Sequence, residues 1–173
     1  MGLEEGGEMT EQATRKRKKR EPIQIPVLDC LDASVLEELY DEMDSWASNM
    51  EGTNLENSSK YEEVSQARDD IDTIKDSIQQ AIDDVRDAAE EAFTDLAEVS
   101  ITFLPSSGYK SRAKRWDECL SLITQAAEHI KGRAEVVLSN SDEALEKLEA
   151  LVSACDELID EVEQASVDFP GMY

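Results

Sequence analysis

The sequence predicts an all-α protein, an elongated helical bundle or antiparallel coiled coil with short extended segments at its breaks. Among 173 residues there are 7 glycines and 4 prolines, and aromatic residues make up 5%, which is typical of long helices rather than of a sandwich or barrel. Apolar residues recur three and four positions apart over much of the chain, which is the spacing of one helix face. The length suits one domain with one core.

The N-terminal part of the chain differs from the rest. Residues 1–22 are polar and lack an apolar period, so we predict a disordered arm there, followed by one helical-bundle domain over 23–173. Residues 22–28 alternate apolar and polar side chains between two prolines, which predicts an extended segment because proline blocks a helix. The arm contains a run of six cations: Arg15, Lys16, Arg17, Lys18, Lys19 and Arg20.

Two helices are predicted in the first half of the chain. The first, over 34–50, opens at a capping box of Ser34 and Glu37 and ends before Gly52. The second, over 59–99, opens at a capping box of Ser59 and Glu62 and is very long, since about 40 residues at ~1.5 Å each span roughly 60 Å. Its apolar positions form a seam suited to pairing with another helix. The large members of this seam are Val64, Ile71, Ile74, Ile78 and Val85.

Two further helices follow a break. Residues 100–105 are β-branched and aromatic and lead into Pro-Ser-Ser-Gly, which predicts a short strand and a turn. The third helix is predicted over 111–138 and the fourth over 142–165. Residues 139–142 are cap-type residues that favour a break, but the seam passes through Ser141 in register, so one continuous helix is the alternative. The seam residues of these helices are Trp116, Leu120, Ile123, Leu148, Val152 and Ile159.

Charge and cysteine content indicate the environment in which the protein folds and acts. There are 41 acidic and 17 basic residues, for a net charge of −24, so self-repulsion opposes folding at low salt. No stretch approaches the ~20 apolar residues of a membrane span, and no signal-peptide pattern opens the chain, so no membrane partner is expected. The three cysteines are far apart, which indicates reduced, buried thiols in a cytoplasm.

One resemblance bears on origin. Trp46, the turn Asn-Met-Glu-Gly-Thr-Asn-Leu at 49–55, an Ala/Ile-rich helix and the terminal Val-Asp-Phe-Pro-Gly-Met-Tyr resemble uncharacterised acidic helical proteins of bacteriophages and mobile elements. The likeness covers about 34–99 and the last seven residues. It implies a bacterial cytoplasm or a virion as the setting, and it implies no activity.

Catalytic motifs are not supported. The carboxylate pairs Asp87 with Glu90 and Glu157 with Asp160 have the spacing of Mg²⁺ ligands, but acids are so frequent that a solvated face is the simpler interpretation. The single histidine, His129, has no glutamate three residues before it, which excludes a di-iron bundle motif, and the cysteines lack zinc spacing. We therefore expect no enzyme activity and no cofactor.

The sequence favours a non-enzymatic protein that binds a host or virion protein through helical surfaces, with self-association as a variant. One alternative is an acidic inhibitor that imitates nucleic acid and occupies the DNA- or RNA-binding site of a host nucleic-acid enzyme or defence system. Another is nucleic-acid tethering through the basic arm and a second cluster, Lys110, Arg112, Lys114 and Arg115. The terminal segment after the last helix either packs on the bundle end or serves as a linear peptide for a partner.

Overall fold

The computed structural model describes residues 20–93, 99–105, 108–140 and 145–171. Within these ranges the chain is mostly helical, with four helices and a two-stranded sheet. The elements in chain order are β1 (Ile23–Pro26), α1 (Ser34–Met50), α2 (Ser59–Ala92), β2 (Ser100–Phe103), α3 (Arg112–Asn140) and α4 (Leu145–Gln164). The predicted helical class is confirmed. Most of the predicted arm lies outside the described residues.

The two strands confirm both extended segments. β1 pairs antiparallel with β2, with Ile25 opposite Ile101, and the Val27 N–H continues the pairing by donating to the Val99 carbonyl at 2.8 Å. A two-stranded sheet is marginal by itself. Here Ile25 and Ile101 pack against the helical core, and that packing supports the strands.

The helix starts differ from the predicted capping boxes. At α1 the N-cap is Ala33, which has no capping side chain. The Asp32 carboxylate instead accepts the Ser34 N–H at 2.9 Å, so the predicted Ser34 cap is wrong. At α2 the N-cap is Ser58, whose Oγ accepts the Tyr61 N–H at 3.2 Å, one residue before the predicted start. Ser58 and Ser59 are equally suitable N-cap residues by sequence, and the backbone conformation decides which of them caps α2.

The second helix is shorter than predicted. α2 has 34 residues and ends at Ala92, so its predicted continuation to residue 99 is wrong. Phe93 is extended, with φ −133° and ψ 139°, and the Val99 carbonyl already pairs with the strand region at Val27. The pairing of Val99 with Val27 requires an extended chain at residue 99, which is incompatible with a helix that runs to that residue.

The third and fourth helices are separate. The Lys131 Nζ lies 2.6 Å from an Asp156 carboxylate oxygen, which joins α3 to α4. In one continuous helix these residues would be roughly 37 Å apart, at ~1.5 Å per residue. The two helices therefore fold back on each other, and the continuous alternative is wrong. Residues 141–144, between the two helices, lie outside the described residues.

The helices share one apolar core. α1 runs antiparallel to α2, because Lys75 pairs with Glu37 (3.3 Å) while Arg68 pairs with Asp44 (3.6 Å). Among the described residues no polar or charged residue is fully buried. No described helix is long and apolar enough to cross a bilayer. The largest side chains that are less than 2% exposed are Leu31, Leu36, Leu39, Met43, Ile71, Ile78, Ile82, Ile123, Ile130, Leu151 and Leu158.

Candidate functional site

The predicted pairing seams are occupied within the chain itself. Eight of the eleven seam residues are buried in the core: Val64, Ile71, Ile78, Val85, Trp116, Leu120, Ile123 and Leu148. The other three, Ile74, Val152 and Ile159, are partly buried and pack against it. These side chains join the protein's own helices. A surface for another protein must therefore be sought on the outward faces.

The second basic cluster is also engaged internally. The Arg112 Nε lies 2.9 Å from a Glu42 carboxylate oxygen, and an Arg115 guanidinium nitrogen lies 2.7 Å from the other. The Arg112 guanidinium also lies over the Trp46 ring, 5.2 Å from its centroid. Cation–π contact adds to the ion pair. These contacts bind α3 to α1.

Burial and ion pairing act in opposite directions on the pKa of Glu42. Burial raises this pKa, but hydrogen bonds from Arg115 and Arg112 outweigh that effect, so the pKa lies below the ordinary value of 4.5. The carboxylate is therefore charged at neutral pH and holds both guanidinium groups. Glu42 was missed by sequence reasoning, since nothing in the chain signals which acid among many meets these arginines.

The remaining predicted nucleic-acid contacts are divided. Lys110 pairs with Glu118 at 2.8 Å, whereas Lys114 is exposed. Of the basic run, Arg20 is described and exposed, while Arg15, Lys16, Arg17, Lys18 and Lys19 lie outside the described residues. The structure therefore brings three of the four cations in the second cluster into internal ion pairs. Phosphate would have to compete with those pairs.

An acidic groove lies between α2 and α4. Its volume is about 650 Å³. Five carboxylates line it, and no basic side chain of the described residues does. We call this surface the acidic groove. Its lining residues are Asp76, Ser77, Gln80, Ala81 and Asp84 from α2, and Glu157, Asp160, Glu161 and Gln164 from α4.

Helix periodicity explains how the groove forms. Asp76, Gln80 and Asp84 recur every four residues, so they form one row along α2 beside the buried Ile78 and Val85. Glu157 and Glu161 form a corresponding row on α4. Packing of α2 against α4 brings the two rows together. The spacing of each row is visible in the sequence, but which rows face each other depends on packing.

The groove attracts cations but does not have the arrangement of a metal centre. Glu157 and Asp160, one of the two predicted Mg²⁺ pairs, lie in it, whereas Asp87 and Glu90 are exposed and do not line it. In the described part of the chain, no three histidine, cysteine or carboxylate side chains are grouped so that they could hold a metal ion. Like charges facing each other raise the local negative potential. Chemically, the groove can bind positively charged groups.

The cysteines do not supply a nucleophile. Cys30, Cys119 and Cys155 are free and buried. Burial raises the pKa of Cys119 and of Cys155 to about 12, and it also raises the pKa of Cys30. The thiolate is the reactive form, so these thiols stay protonated and unreactive at neutral pH. They pack as small apolar side chains.

Comparison with family models, with curated proteins and with solved structures finds no significant match to this chain. Its function must therefore be inferred from its own residues.

Proposed function

We propose that this protein is a non-enzymatic helical protein that binds a partner protein, and that the acidic groove recognises a basic surface of that partner. One observation carries the proposal: the helix seams are buried in the chain's own core, while the acidic rows of α2 and α4 remain exposed. Binding through the seams would require the core to open. Binding through the groove requires no rearrangement.

Charge supports this assignment. The chain carries a net charge of −24, and a surface of one sign attracts an oppositely charged partner and speeds association. The α2 side of the groove, from Asp76 to Asp84, extends for about 12 Å along the helix axis at ~1.5 Å per residue. That length suits two or three lysine or arginine side chains on a helix or loop of the partner.

We include the detailed helix packing in the same proposal. The protein acts as an elongated bundle, with antiparallel coiled-coil packing, that presents its acidic rows along a rod. A bacterial cytoplasm or a virion is the proposed setting, and the phage or mobile-element origin remains a prediction from the resemblance.

A second candidate function is inhibition of a nucleic-acid enzyme or a defence system by imitation of nucleic acid. The observation that favours it is the pair of carboxylate rows: Glu157 and Glu161 lie about 6 Å apart along α4, and Asp76 and Asp84 lie about 12 Å apart along α2. Two such rows on one face resemble a phosphate backbone in that their negative charges follow a line along the molecule. Nucleic-acid tethering has weaker support, because Arg112, Arg115 and Lys110 are engaged in internal ion pairs.

The test uses tagged full-length protein and nuclease-treated bacterial lysate. The groove variant Asp84→Asn/Asp160→Asn/Glu161→Gln should retain at least tenfold less of the partner than the unaltered protein. The matched control, Glu38→Gln/Glu62→Gln/Asp117→Asn, removes three exposed charges elsewhere and should retain it. The partner should elute at about 0.5 M salt, where the screening length is only a few ångströms.

The outcomes separate the hypotheses. Equal retention by both variants would contradict the groove assignment. Elution that requires denaturant would point to apolar seam pairing instead. If DNA or RNA displaces the captured protein at low salt, the second candidate function is supported.

A further inference from the structure

The segment after α4 crosses to another part of the fold. Residues 165–171 form no helix or strand, and over 165–169 the side chains alternate in exposure. Ala165, Val167 and Phe169 pack against the core, whereas Ser166 and Asp168 are exposed. A period of two is typical of an extended chain lying on a surface. We call residues 165–171 the C-terminal strap.

Two contacts fasten the strap to the starts of two other helices. The Phe169 ring meets the Trp116 ring edge-on, with centroids 5.8 Å apart and a 69° angle between planes. This is a favoured aromatic geometry. The Lys60 Nζ, in the first turn of α2, donates to the Gly171 carbonyl at 2.9 Å. The strap therefore connects α4 with the beginnings of α2 and α3.

We propose that the C-terminal strap is a clasp that closes the end of the helical body at which α2 and α3 begin. Trp116 is only 4% exposed, and Phe169 is part of what covers it. Release of the strap would uncover Trp116 and the adjoining apolar seam. The strap's own contacts are few and its residues are at most partly buried, so opening there precedes unfolding of the core.

The clasp is also placed to affect the acidic groove. Gln164 lines that groove, and the strap begins at the next residue. A closed clasp therefore anchors the C-terminal end of the α4 wall. This makes the strap a conformational device separate from the carboxylates themselves, and the clasp does not depend on the proposed binding function.

Hydrogen–deuterium exchange on the full chain tests the clasp. Phe169→Ala should accelerate amide exchange at least tenfold in residues 62–66 and 116–120, while residues 78–85 keep their protection. Asp168→Ala, a matched change at an exposed strap position, should leave all three regions unaltered. Lys60→Met removes the donor to Gly171 and also the ion pair of Lys60 with Glu63 in the first turn of α2. Its readout is therefore residues 116–120, where exchange should accelerate. Glu63→Gln, which removes the ion pair alone, should leave those residues unaltered.

Unchanged exchange at 62–66 and 116–120 in Phe169→Ala would overturn the clasp. Uniform acceleration across every helix would also overturn it, because Phe169 would then be an ordinary part of the global core. If Phe169→Ala does not fold, Lys60→Met decides: acceleration at 116–120 that Glu63→Gln does not reproduce supports the clasp, and no change at 116–120 refutes it.

Discussion

Glu42 holds two helices together through two arginines on α3. Its carboxylate accepts hydrogen bonds from Arg112 at 2.9 Å and from Arg115 at 2.7 Å. Charge-assisted bonds of this kind are stronger than neutral ones. The Glu42 side chain is 36% exposed, however, so solvent screens part of the attraction. At the residue scale, this cluster contributes to stability, and a phosphate group would have to compete with its ion pairs.

Glu42→Gln should lower the free energy of unfolding by about 1 kcal/mol at neutral pH, after allowance for solvent screening. The substitution keeps the shape of the side chain but removes the charge that both guanidinium groups contact. Glu38→Gln is the matched control, because Glu38 is exposed on the same helix. Urea midpoints measure both. Equal midpoints for the two variants would contradict the role of Glu42.

The contribution of Glu42 to stability has a defined pH dependence. Because folding lowers the pKa of Glu42 from 4.5, its contribution is complete above that value and is lost as pH falls through the folded-state pKa. The stability difference between the unaltered protein and Glu42→Gln should therefore shrink as the solution is acidified well below pH 4.5. A difference that stays constant into strong acid would show that charge is not its source.

At the element scale, burial divides the seam of α2. Ile78 is 0% exposed, whereas Ile74, one turn earlier, is only partly buried against the core. The two residues have the same chemistry and neighbouring positions on one helix. Their difference therefore isolates what burial contributes.

Ile78→Ala should lower the free energy of unfolding by ~2–5 kcal/mol, because the substitution leaves a cavity in the core. Ile74→Ala, the matched control, should cost less, since solvent can fill the space. Thermal melts of both variants measure the difference. Similar shifts for the two, or a shift under about 1 °C for Ile78→Ala, would mean that the seam is not packed as described.

Helix bounds were predicted correctly from sequence where they depend on a local pattern, and wrongly where they depend on contact with a distant segment. The bounds of α1 were predicted correctly from its apolar period and Gly52. The end of α2 was predicted too late, because the pairing of Val99 with Val27 is a long-range effect. The cap of α1 was assigned to Ser34, although Asp32 supplies the acceptor. Several polar residues at one helix start are equivalent until the backbone is placed.

At the scale of the whole molecule, negative charge opposes the compact state. A net charge of −24 is spread over a body with few cations. The screening length falls from ~30 Å at 0.01 M salt to ~10 Å at 0.1 M, so moderate salt weakens repulsion between distant carboxylates. Folding brings those carboxylates closer together than they are in the unfolded chain. Salt should therefore favour the folded state.

The urea midpoint should rise between about 0.01 M and 0.1 M salt because the longer-range repulsion is screened. The variant Asp84→Asn/Asp160→Asn/Glu161→Gln should show a smaller rise, since three of the facing carboxylates in the acidic groove are neutral. A midpoint that stays level with salt in the unaltered protein would indicate that local ion pairs already balance the repulsion.

The sequence by itself determined the helical class, the extended segments, most of the buried seam residues of α2, α3 and α4, and the acidic character. These follow from local periodicity, proline position and composition, which act without reference to the rest of the chain. Tertiary structure alone decided that α3 folds back on α4, that Arg112 and Arg115 meet Glu42, that Phe169 covers Trp116, and that two acidic rows face each other. Those facts depend on which helix faces pack together, because many charged residues are interchangeable by sequence and only packing selects their partners.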